Sequence, residues 1–440
     1  MKKLAFALSL ACLFAPASAR SQNAYITNAL DNSVSVIDTT TNTVVGSAIP
    51  VGDAPRAVAV TPDGSKVYVV NRDSNNVSVI DTVTNTVIAT IPAGNNALGV
   101  AVTPDGSKVY VKGFNGEVLV IDTVTNTVIA TTPPVGSFPF GMAVTPDGSR
   151  VYVANEGDAT ASVIATATNT VVGSPIPVGK QPFGVAVTPD GSRVYVTNNV
   201  SRTVSVIDTA TNTVVATIPL RAPGFAWGVA VTPDGSRVYV GTSAFVSVID
   251  TATNTVVTTL QFDDSPVGVA VTSDGSRVYV TNYDSNHVSV IATATNTVVG
   301  APIAVGHGPF ALSIQPATSV FSAFTARLTV SSFQPKFTLA SNFSLGTTSN
   351  GINPASEAVT LKIGTFAVTI PPGSFTLAVP GTYSFLGVIS GLTVNAKITH
   401  TRGKSYTFDA TANANLLKTK NPATVTLTIG NDTGTTTARF

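Results

Sequence analysis

The sequence predicts an all-β protein: a seven-bladed β-propeller with shared-strand ring closure, followed by a C-terminal β-sandwich. The first observation behind this is a repeated sentence, T-P-D-G-S-[RK]-V-Y-V and then V-I-D-T-x-T-N-T-V. Its leading threonine stands at Thr61, Thr103, Thr145, Thr188, Thr232 and Thr272, in steps of 42, 42, 43, 44 and 40 residues. A fixed period of this size carrying four short β patterns is the signature of propeller blades. The second observation is that the array opens in mid-repeat, on Ala24-Tyr25-Ile26-Thr27-Asn28, and ends on a lone first strand, Phe310 to Ile314. One strand from the end and three from the start make one blade, and their pairing closes a circle. The third is a non-repeating remainder, residues 317–440, with alternating strands such as Val359 to Ile363, Phe366 to Ile370 and Val425 to Ile429 between turns at Pro371-Pro372-Gly373, Pro380-Gly381 and Gly430-Asn431-Asp432. Short alternating strands at this spacing predict a sandwich.

Within a repeat, the first strand reads G-V-A-V, as in Gly184 to Val187, and its small residues suit the crowded inner end of a blade. It ends at Thr188-Pro189-Asp190-Gly191, where proline presets a turn and glycine takes the positive φ that closes a hairpin. The second strand is Val194 to Thr197 and the third Val204 to Ile207, followed by the turn Asp208 to Asn212. The fourth, Val214 to Ile218, stops against Pro219. Pro50, Pro92, Pro133 and Pro177 recur at that place and mark an outer edge strand that has no ladder to donate to. First strands occur at residues 57, 99, 141, 184, 228, 268 and 311, and third strands at Ile37, Ile80, Ile121, Ile164, Ile207, Ile249 and Ile291; both counts are seven.

Composition sets the class. Of 440 residues 11% are charged and 44% hydrophobic, so the chain is globular rather than disordered. Lys2 and Lys3, an apolar run from Leu4 to Ala15, and Ala17-Ser18-Ala19 read as a signal peptide over residues 1–19, with the mature chain expected from Arg20. Its removal takes two lysines and no acid from a formal net charge of +1, which leaves no electrostatic footprint for nucleic acid. Cys12, the only cysteine, leaves with the peptide; Ser9 stands where a lipidation motif has leucine. No later run is apolar enough for a transmembrane helix. Thr433 to Arg439 lacks the alternating apolar face of a lipid-facing strand, so the terminal Phe440 reads as a strand end.

Tyr195-Val196-Thr197-Asn198 and Tyr279-Val280-Thr281-Asn282 carry the signature of the YVTN family of β-propeller repeat proteins, which the chain resembles over residues 24 to 316. The resemblance implies a seven-bladed propeller over residues 20–316 and an exported or cell-surface protein, as in surface-layer proteins. The fold is similar to that of lactonase-type and quinoprotein-type propeller enzymes, whose motifs are not found here. No catalytic residue is carried over from them.

Repeats provide their own comparison. The turns between strands one and two and between strands three and four barely change, and both fall on one rim. The opposite rim carries the variable loops, where binding is expected. The aspartate of V-I-D becomes Ala165 and Ala292 with its turn intact, so it reads as a turn former. The T-P-D-G aspartates lack the D-x-D spacing of a calcium loop. On the variable rim, just before strand one, stand in ring order His307, Asp53, Asn95, Ser137, Lys180, Gly224 and Asp264. Closure places Asp264, His307 and Asp53 on consecutive blades, a pattern that suits acid–base chemistry or a hard cation; polar residues are equally ordinary in exposed tight loops. His287 and Asp284 share the rim. Three positions on, the ring reads Arg56, Leu98, Phe140, Phe183, Trp227, Val267 and Phe310, an aromatic collar suited to sugar rings or apolar peptide side chains, or to wedging blades apart.

The reading is an exported cell-envelope or extracellular binding or scaffold protein. Its partners are expected to be envelope proteins or polysaccharides, and its ligand residues Trp227, Phe140, Phe183, Phe310, Arg56 and Lys180. The alternative is a lactonase-like hydrolase or lyase using His307 with Asp53 or Asp264. No cofactor and no metal are expected: C-x-x-C-H is lacking and nothing points to a quinone.

Overall fold

The computed structural model describes residues 22–112, 116–220, 224–262 and 264–316 and, beyond them, strands between residues 319 and 438. The expected signal peptide and Phe440 lie outside the described residues. Every regular element described is a β-strand. Among the described residues no helix is long and apolar enough to cross a membrane.

Each repeat folds as an antiparallel sheet in sequence order. Pro182–Val187, Arg193–Asn198, Thr203–Asp208 and Thr213–Pro219 form one such sheet. The T-P-D-G hairpin is built by its own side chains: Thr188 Oγ1 donates to Asp190 Oδ1 at 2.5 Å, and the Ser192 and Arg193 amides donate to Asp190 and Thr188 at 3.0 Å, while Gly191 takes φ 71°. These donors hold the Asp190 carboxyl below its usual range, the threonine hydroxyl contributing most. In the next turn Asp208 accepts the Ala210 and Thr211 amides at 3.0 Å and Asn212 takes φ 54°. Where Ala165 and Ala292 stand instead, the Asn169 and Asn296 amides still reach their carbonyls at 2.8 Å, so the turn survives without the carboxylate.

The outer strand departs from expectation in three repeats, where it splits: Thr43–Val44 and Ile49–Pro50, Thr170–Val171 and Ile176–Pro177, Thr297–Val298 and Ile303–Ala304. These carry T-V-V-G-S-A-I-P or a close variant, one residue more than the T-V-I-A-T-I-P of the continuous strand. The extra residue is accommodated at Gly46, Gly173 and Gly300, all at positive φ.

The first strands pack side by side in a circuit. From Pro55–Val60 it passes to Val100–Val102, Pro139–Val144, Pro182–Val187, Ala226–Val231, Pro266–Val271 and Pro309–Ile314, then back to Pro55–Val60. The last of these pairs with Asn23–Asn28, Ser313 opposite Tyr25 and Leu312 opposite Ile26. The core lies between neighbouring sheets: Tyr68, Val79 and Ile91 of one sheet form a single cluster with Val109, Val111 and Ile121 of the next. Each YVTN-type tyrosine also crosses to the following sheet, where the asparagine at positive φ accepts its hydroxyl: Tyr68 to Asn126 at 2.9 Å, Tyr110 to Asn169 at 2.8 Å, Tyr152 to Asn212 at 2.6 Å, and finally Tyr279 back to Asn42. Burial pushes Tyr25, which donates likewise to Asn85, up to about 12 and keeps it a donor.

Beyond the repeats, two sheets are described. One has the order Ser319–Val320, Asp432–Ala438, Ala423–Ile429, Val359–Ile363, Phe366–Ile370. The other runs Ala323–Val330, Phe337–Ser344, Ser405–Ala412, Leu392–Arg402, Thr382–Ile389, Thr376–Val379. Val359, Leu361 and Ile363 are buried at alternate positions, as expected of a strand covered on one face.

Candidate functional site at one mouth of the ring

At the variable-rim end of the first strands, the equivalent position holds Arg56, Leu98, Phe140, Phe183, Trp227, Val267 and Phe310. Before it the backbone turns left-handed, at Ala54, Phe138, Gln181 and Gly308, and a proline then starts the strand. The following residues are Arg56, Phe140, Phe183 and Phe310, so these four repeats each deliver one side chain to the mouth by the same local geometry.

Phe183 is the hub. Its ring centroid lies 3.9 Å from Phe140, 5.0 Å from Trp227 in an edge-to-face arrangement and 6.3 Å from Phe310. Phe225 extends the cluster, 6.0 Å from Trp227. Arg56 closes it, its guanidinium carbon 4.5 Å from the Phe310 centroid. These rings and Leu98 wall a cavity of about 450 Å³ whose polar lining includes Arg72, Glu156 and Gln181. A narrower space of about 170 Å³ continues beneath it along the first strands, past Gly99, Gly141 and Gly184. Burial depresses the pKa of Arg56, with Tyr283 opposing the effect, and burial raises that of Glu156.

A carboxyl whose folded pKa is raised costs stability once pH exceeds its unfolded value. The Glu156→Gln variant is therefore expected to melt at a higher temperature than the parent at neutral pH. That advantage should fade in acid, where both states hold the proton. Thermal unfolding across this range checks it, and equal melting at neutral pH would contradict it.

A family model described as YNCE-like beta-propeller matches residues 116–221. A functionally unknown protein from Desulfotomaculum acetoxidans is similar in structure, with a TM-score of 0.59 at 19% identity over 68% of this chain and 100% of that one. The repeats form a YVTN-type β-propeller. A putative 6-phosphogluconolactonase from Bacteroides uniformis aligns with the propeller at TM-score 0.57 and 16% identity, over 67% of this chain and 100% of its own. Kuenenia stuttgartiensis hydrazine synthase aligns at 0.54 and 23%, over 58% and 88%. At these identities the likeness is one of fold alone. Among curated proteins none matches the chain in sequence.

The other residues singled out on this rim of the propeller do not gather into one site. His307 is 68% exposed and its Nδ1 lies 2.8 Å from Asp31, a residue the sequence reading did not consider. The His307 amide and imidazole hold the Asp31 carboxyl below its usual range. Asp53 accepts the Asn32 side-chain amide at 2.9 Å. Asp264 accepts the Ser285 hydroxyl and the Asp284 and Ser285 amides, and Ser285 Oγ lies 2.6 Å from His287 Nδ1. Each carboxylate is thus engaged in tying its loop to the loop facing it, and no hydrogen bond or ion pair joins Asp264, His307 and Asp53 among the described residues. Lys180 is exposed on the lip, where its amide donates to Ser201 Oγ at 2.8 Å.

Sequence reasoning missed Arg72, Glu156 and Tyr283. All three directly follow the asparagine that ends a second strand, at Asn71, Asn155 and Asn282, and their amides bond the opposing loop at 3.0 to 3.1 Å. Comparing repeats at that position would have found them. Lys112 was missed as well: it is buried where three other repeats place Thr27, Thr197 and Thr281, and its Nζ donates to the carbonyls of Asn95 and Asn96 at 3.2 and 2.7 Å, tying down the lip.

Proposed function

We infer that the chain is a non-enzymatic exported binding protein. In this reading residues 1–19 are a signal peptide and residues 20–316 a seven-bladed propeller closed by the shared blade. Residues 317–440 are a β-sandwich that supplies attachment or a second contact. The ligand site is the aromatic mouth, and the partner is a protein or polysaccharide of the cell envelope, in the periplasm, at the cell surface or outside the cell.

The observation that carries this reading is the collar itself. Phe140, Phe183, Trp227 and Phe310, contributed by separate repeats, converge within ring-stacking distance around one half-open cavity. Half-buried aromatic walls with a few polar groups are what a binding pocket needs, and stacked rings bind without any titrating machinery. The competing hydrolase reading has one observation behind it, the His307–Asp31 pair, which lies on the exposed lip without a second acid bonded to it.

Trp227 is the only tryptophan and reports directly on the mouth. Titrating the secreted form with peptides and envelope polysaccharides is expected to change its emission saturably, with no turnover of lactones or esters. An unresponsive Trp227 together with turnover that the His307→Ala variant abolishes would overturn the reading in favour of the hydrolase.

A further inference from the structure

We propose that the ligand of this mouth carries a carboxylate beside a flat apolar ring, and that Arg56 receives the carboxylate while the ring enters the aromatic cup; this rests on the mouth being the binding site. Six of the seven equivalent positions hold Leu98, Phe140, Phe183, Trp227, Val267 and Phe310. Packing at this position therefore needs no charge, and a cation there calls for another reason.

The surroundings of Arg56 supply it. The guanidinium lies against Phe310 and Tyr283, with its carbon 4.5 and 5.9 Å from their centroids. Its Nε is buried and has no hydrogen-bond partner, and among the described residues no carboxylate forms an ion pair with it. Arg72, on the same wall, does have one, Asp73 at 2.7 Å. A half-buried cation that no carboxylate pairs directly is unfavourable by itself, and an incoming anion relieves that cost. Planar, forked donors favour a carboxylate over a point charge.

The rest of the ligand follows from the walls. Rings from Phe140, Phe183, Trp227 and Phe225 surround the space on several sides, so a sugar would press its edge hydroxyls against aromatic carbon, whereas an apolar ring has none to satisfy. A free aromatic acid and the aromatic residue at a peptide C-terminus share this chemistry.

Trp227 emission, excited at the red edge of tryptophan absorption, can be titrated with phenylacetate, N-acetylphenylalanine, N-acetylphenylalaninamide and glucuronate. Both aromatic acids are expected to bind at least about tenfold more tightly than the amide, as a charge-assisted hydrogen bond provides, with the advantage shrinking in salt. Tighter binding of N-acetylphenylalanine than of phenylacetate supports a peptide terminus as the source, and the reverse a free acid. The Arg56→Gln variant should bind acid and amide alike, at the amide's affinity, and Arg56→Lys should keep part of the preference. Equal binding of acid and amide by the unaltered protein, or a preference for glucuronate, overturns this proposal and leaves the mouth as a binding site. Failure of every probe to perturb Trp227 overturns the binding-site reading itself. If Arg56→Gln does not fold, the acid-to-amide comparison in the unaltered protein and its salt dependence still decide.

Discussion

The Gly99→Val variant is expected to lose about 3 kcal/mol of stability or more, the upper range for forcing volume into a packed interior. A Cβ at Gly99 would lie 1.8 Å from the carbonyl oxygen of Phe140, and one at Gly141 2.1 Å from that of Phe183. Both obstacles are backbone atoms of the neighbouring first strand, which cannot rotate away as a flexible side chain does. The same approach recurs at Gly228, 2.5 Å from the Val267 oxygen, so the glycine of G-V-A-V reports how tightly the first strands crowd the axis. Gly46 is the control: it has φ +66° and nothing within 4 Å, so Gly46→Ala should cost only the left-handed backbone penalty, about 1 kcal/mol. Urea unfolding of the two variants gives the comparison. Similar midpoints would mean that the first strands do not approach one another as described.

The second large effect concerns binding. Phe183 touches Phe140, Trp227 and Phe310, and its removal is expected to weaken ligand binding by about 2 kcal/mol, near thirtyfold, as for a central aromatic anchor. Folding stability should change far less, because Phe183 is only half-buried and lies at the mouth rather than between sheets. Trp227 remains as the reporter in Phe183→Ala, so one titration yields both affinity and the state of the cup. A variant that binds as tightly as the parent would reduce the collar to packing between blades.

The regular part of this molecule was legible because its cause is local. T-P-D-G and the asparagine turns specify their own backbone through hydrogen bonds within five residues, so strand order follows from reading any one repeat. The collar was legible for a related reason: repeats that fold alike place equivalent residues at equivalent points, and listening for aromatics at one position sufficed. The split outer strands turn on one additional residue around Gly46, Gly173 and Gly300, a difference that alignment by the conserved turns alone passes over. The partner of His307 was beyond local reading. Asp31 lies 276 residues away and meets it only because the ring closes between the last first strand and the first sheet. Arg72 and Glu156 line the mouth through the loop after the second strand, and only the register of that loop against Ala54 and Phe138 brings them there.

Closure is the claim on which the placement of every mouth residue depends, and disulfide trapping tests it directly. Ile26 and Leu312 face each other across the closing pair, as do Ala24 and Ile314, and the chain's only cysteine is Cys12. The Ile26→Cys/Leu312→Cys and Ala24→Cys/Ile314→Cys double variants, prepared without residues 1–19, place thiols at the strand spacing that a disulfide spans. Oxidation is expected to crosslink at least one pair intramolecularly and to raise its unfolding midpoint, since the bridge restricts a long loop in the unfolded chain. Folded protein in which both pairs keep free thiols would contradict closure, and with it the mouth.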